Sequence, residues 1–76
     1  MSYDYSLLEA KIREKFFTKE RFANALGIGR TALYAKLQGA SQFKQDEIYL
    51  MVKLLGIKKN EVTVYFFTQK IRETEL

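Results

Sequence analysis

Apolar residues return at spacings of three and four along most of the chain, and a glycine stands where several of these runs stop. Tyr5, Leu8, Ile12 and Phe16 form one stripe, which predicts a first helix over residues 4–16 with the intervening Lys and Glu in water. Thr18 offers a hydroxyl that can cap a second helix over 19–26, whose buried face is Phe22, Ala23 and Leu26. Counted from that cap, Phe17 and Phe22 are spaced for a hydrophobic staple, whereas Arg21 stands where Glu or Gln would complete a capping box. Gly27 ends the helix, because a residue without Cβ enters the left-handed region at no steric cost. Ile28 plugs the turn. A third helix is expected over 30–38, stopped by Gly39, with Leu33 and Leu37 inward and Ala32 beside them. A fourth, over 45–55, begins with Asp46 and Glu47 against its positive dipole end, buries Ile48, Met51, Val52 and Leu55, and closes at Gly56.

The last 20 residues carry two patterns. Asn60 can cap a fifth helix, but VTVYFFT at 62–68 is rich in β-branched and aromatic residues, and Phe67, Gln69, Ile71 and Glu73 alternate as a strand would. The reading adopted is a short helix near 60–66 followed by an extended tail. The fold class is therefore all-α. A single domain spans residues 1–76, with its core at 5–67 and a C-terminal tail at 68–76.

Composition narrows the chemistry. The chain has 76 residues, 47% of them hydrophobic, which suits a folded globule rather than a disordered segment. Cys and His are both absent, so disulfides, thiol nucleophiles, zinc clusters and the commonest general base are unavailable. No pair of carboxylates has a discernible pocket, and no Gly-rich phosphate loop is present. The expectation is a binding protein, not an enzyme, with no cofactor, metal or small-molecule substrate. The N-terminus lacks the basic start and apolar run of a secretory signal, and no apolar stretch approaches the roughly 20 residues of a membrane span. A cytoplasmic protein without a membrane partner is expected.

Net charge is +4, and residues 1–44 hold all of the surplus: eight basic groups against four acidic ones, compared with five of each in residues 45–76. Such asymmetry suits a polyanionic partner, although a solvated basic surface has the same composition.

Two short helices joined by a tight Gly-containing turn make a helix-turn-helix. The small Ala23, midway along the first, lets the helices cross closely. Helix three then presents an exposed edge that a DNA major groove can admit. The segment TKERFANALGIGRTALYAKLQG, followed by a helix ending in KLLGI, resembles the Cro and C1 class of phage helix-turn-helix repressors. More closely, residues 5–67 resemble a family of small phage-encoded regulators from Gram-positive hosts, whose members also end in a YFF-like segment.

The resemblance implies a five-helix, lambda-repressor-like domain that binds a double-stranded operator. By position, Arg30, Thr31, Tyr34, Ala35 and Gln38 would read bases, with Arg30 suited to a bidentate guanine contact. Thr18, Lys19, Gly29, Lys36, Ser41, Gln42 and Lys44 would hold phosphates. Gly29 departs from the family by replacing a capping Ser or Thr on helix three, and Lys44 replaces a small capping hydroxyl on helix four. So small a domain needs two copies for useful specificity, with recognition helices about 34 Å apart, so a weak homodimer through the C-terminal aromatic segment is expected. The alternative is a protein-interaction module, such as an antirepressor or modulator, that keeps the fold but binds another repressor.

Overall fold

The computed structural model describes residues 3–70, which form an all-helical fold. Its elements are α1 (Ser6–Phe16), α2 (Lys19–Leu26), α3 (Arg30–Leu37), α4 (Gln45–Leu55), a 3-10 turn (Lys59–Glu61) and α5 (Val62–Phe66). Packing of α1 against α2, α4 and α5, and of α2 against α3 and α4, encloses one core. The largest fully buried side chains are Phe22, Phe66, Leu8, Ile12, Leu33, Met51 and Leu55. No helix among the described residues is long and apolar enough to cross a membrane.

The helix ends follow from local chemistry. Asp4 Oδ1 accepts from the Ser6 backbone N–H at 2.8 Å and from its hydroxyl at 2.6 Å, which secures the start of α1. These two bonds hold the Asp4 carboxyl below its ordinary value. The Thr18 hydroxyl accepts from the Arg21 N–H at 3.1 Å, so α2 keeps the cap and lacks only the return bond that Arg21 cannot make. Gly27, at φ +83°, closes α2 with a bond from the Ile28 N–H to the Ala23 carbonyl, 3.0 Å long. Lys44 has no hydroxyl, but its backbone N–H donates to Glu47 Oε1 at 2.8 Å, which supplies half of a capping box at the start of α4.

Several expectations change in three dimensions. Phe17 does not staple α2: it takes a left-handed φ of 70° and is 72% exposed, and Phe16 instead meets Phe22 edge-on at 5.1 Å between ring centroids. Ala32 points to solvent, because the buried stripe of α3 is Leu33, Lys36 and Leu37. Ile48 and Val52 are only half-buried. The aromatic pair is divided, with Phe66 inside the core and Phe67 46% exposed.

After α5 the backbone extends for a single isolated antiparallel bridge between Tyr3 and Gln69, and no strand forms among the described residues. The part of the expected alternating tail that includes Ile71 and Glu73 lies outside the described residues. Phe43 pins the α3–α4 loop, packing edge-on to Tyr5 at 5.4 Å and to Phe66 at 6.1 Å.

Candidate recognition surface

Helical spacing sets Arg30, Thr31, Tyr34, Ala35 and Gln38 along one side of α3. Arg30, Thr31 and Gln38 are exposed, Tyr34 is 41% exposed, and Ala35 is half-buried. The stripe is held outward because Leu33 and Leu37, on the opposite side, are buried in the same core as Phe22 and Met51. Gly29 begins the helix with extended backbone and no side-chain cap. Thr18 is exposed at the start of α2, and Ser41, Gln42 and Lys44 are exposed in the loop after α3.

Three cations of this region, Lys19, Arg30 and Lys36, are engaged with carboxylates of the same chain, while Arg21, over the Phe17 ring, and Lys44 are exposed. Lys19 Nζ lies 2.6 Å from Glu9 Oε1 on α1 and sits over the Tyr34 ring at 5.0 Å, linking three helices through one ammonium. Arg30 lies 3.5 Å from Glu20 Oε2, a pair in which both side chains are largely exposed. Such an exposed pair contributes only about 0–1 kcal/mol and can open.

Lys36 departs furthest from expectation. Its residue is 8% exposed, and its ammonium donates to the Gln42 carbonyl at 3.0 Å and lies 3.3 Å from Glu47 Oε1. A side chain placed in this way ties α3 to the following loop and to α4, and does not present its charge to a phosphate. Burial by itself would raise the Glu47 carboxyl, but the Lys44 N–H and the Lys36 ammonium outweigh it and hold the group below its ordinary value. A signal for this position was present in the sequence: Lys36 follows Leu33 by three residues and precedes Leu37, so it falls on the buried stripe.

A second feature had no counterpart in the sequence reading. Between α4 and the 3-10 turn with α5 runs an apolar groove of about 600 Å³, lined by Ile48, Tyr49, Val52, Ile57, Val62 and Phe67, with Gln45 and Lys59 at its edges. Tyr49, 63% exposed, and Phe67 stand open to solvent along it.

Residues 1–69 match the model of a family described as "Protein of unknown function (DUF739)". Among solved structures, the chain is similar to the solution structure of the modulator of repression (MOR) of the temperate bacteriophage TP901-1 from Lactococcus lactis. The two are 39% identical with a TM-score of 0.77, over 95% of this chain and 97% of that one. No curated protein matches the chain.

Proposed function

The chain belongs to the DUF739 family, and we propose that it is a phage regulatory protein that modulates repression by binding a repressor protein, rather than by occupying an operator alone. The similarity to a modulator of repression over nearly the whole of both chains supports this reading. The geometric observation that carries it is the pairing of Lys19, Arg30 and Lys36 with Glu9, Glu20 and Glu47.

Affinity for duplex DNA comes largely from cations that replace the counterions of the phosphates. A cation already neutralised by a neighbouring carboxylate displaces few of them, and the carboxylate repels the backbone. A surface of mixed charge with an exposed tyrosine suits a protein partner, where complementary potentials set the register of docking. The test is a gel shift with a phage repressor on its own operator DNA, with and without this chain. Addition of the chain should alter the repressor's shift and bind the repressor in calorimetry. A chain that shifts the operator by itself and shows no heat with the repressor would reverse the conclusion.

A second reading, operator recognition as in Cro and C1 repressors, draws on the open stripe of Arg30, Thr31, Tyr34 and Gln38 and on the weakness of the Arg30–Glu20 pair. It requires that pair to open on DNA. Under this reading, Arg30→Ala lowers operator affinity by about 1–3 kcal/mol and relaxes one base position. Under the first reading it leaves residual DNA affinity unchanged on every sequence.

A further inference from the structure

We infer that the groove between α4 and α5 is a docking site for an apolar, acid-flanked segment of the partner protein, an inference that rests on the reading of the chain as a repressor-binding protein. The groove is concave and lined by Ile48, Tyr49, Val52, Ile57, Val62 and Phe67, a surface that takes inserted side chains in the manner of a helix in a groove.

Its surroundings define the chemistry of the occupant. Lys59 lines the groove, Lys58 adjoins it in sequence, and Lys53 follows Tyr49 by one turn on α4, its ammonium over the Tyr49 ring at 4.7 Å. Among the described residues none of these three lysines has a carboxylate within ion-pair distance. Of the nearby acids, Glu47 meets Lys36 and Glu61 accepts from the Lys58 backbone N–H at 3.2 Å. Asp46, beside Gln45 in the first turn of α4, is exposed, so the lysines outnumber the open carboxylates around the groove.

The α3 face is the reverse case, with its cations paired. An apolar groove beside unpaired lysines complements apolar side chains flanked by Asp or Glu. A second copy of this chain fits poorly, because a two-fold interface sets each patch against itself and brings the same lysines together.

The test uses the intact, 15N-labelled chain and two synthetic amphipathic peptides with one leucine stripe, flanked by glutamates in the first and by lysines in the second. The glutamate peptide should shift amides around Tyr49, Val62 and Phe67 and bind at least about tenfold more tightly than its lysine twin. The double variant Lys53→Glu with Lys59→Glu, at exposed positions, should reverse that preference, and Tyr49→Ala should weaken both peptides while the dispersed spectrum persists. Equal binding of the two peptides, shifts confined to α3, or binding only to vesicles of phosphatidylcholine and phosphatidylserine would overturn the inference. Concentration-dependent shifts at the groove without peptide would overturn it in favour of a second copy.

Binding of the repressor separates this inference from the function on which it rests. A repressor that binds wild type and the double variant alike removes the groove and leaves the function. A glutamate peptide seated in the groove of a chain that binds no repressor does the opposite.

Discussion

Lys36 carries its charge inward because its place on α3 sends its stem alongside Leu33 and Leu37, and the end of that stem meets Glu47 and the Gln42 carbonyl. Glu47→Ala leaves the Lys36 ammonium with the Gln42 carbonyl as its remaining partner, so it should lower stability by about 1–3 kcal/mol in urea denaturation. The pH dependence has a definite sign. The Glu47 carboxyl lies below its ordinary value of 4.5 in the folded chain, so its contribution is full above that value and is lost as pH falls through the lower, folded value. In Glu47→Gln that acid-side loss should shrink, measured as the change in urea midpoint between pH 7 and about pH 3. Thr18→Ala, which removes the α2 cap at an exposed site, should cost about 1 kcal/mol in the same assay. The position of Lys36 was legible in its spacing, but its partner was not, because Glu47 lies 11 residues away across a loop.

The limits of α2 and α4 match those expected from the sequence because both helices are bounded by local signals: a capping bond at the start and a left-handed glycine at the end. Gly27→Ala should therefore destabilise by about 1 kcal/mol through its φ of +83° alone, since nothing lies near enough to meet the added Cβ. The element α5 obeys a different logic. Its five residues are too few to hold a helix by themselves, and β-branched and aromatic side chains favour extended backbone. Burial of Phe66 against Phe43 and the core decides the matter. Phe66→Ala should remove about 3–5 kcal/mol, enough to leave much of so small a domain unfolded, which circular dichroism at room temperature can measure. At the α1–α2 junction the competing preferences fall the other way: Phe16 is on the stripe of Leu8 and Ile12 and takes the contact that cap spacing assigns to Phe17.

For the whole molecule, a net charge of +4 concentrated in residues 1–44 reads as an invitation to a polyanion, but charge counted along a chain does not reveal which charges meet. Because Lys19, Arg30 and Lys36 are paired within the fold, binding of the chain alone to DNA should be weak and nonspecific. Between 50 and 200 mM salt a gel shift should show only a shallow loss, where a protein with six or more phosphate contacts loses about a thousandfold or more. A steep slope with one preferred sequence would favour operator recognition. The sequence by itself determined the helices, most of their ends, the apolar stripes and the outward face of α3. Each of these depends on spacings of one to four residues or on the conformation open to a single residue. Tertiary structure alone decided that Lys19, Arg30 and Lys36 find carboxylates, that Phe66 turns into the core while Phe67 stays exposed, and that an apolar groove opens between α4 and α5. The reason is geometric: such relations join residues brought together by helix crossings, and the angles and distances of those crossings follow from how all the stripes pack at once.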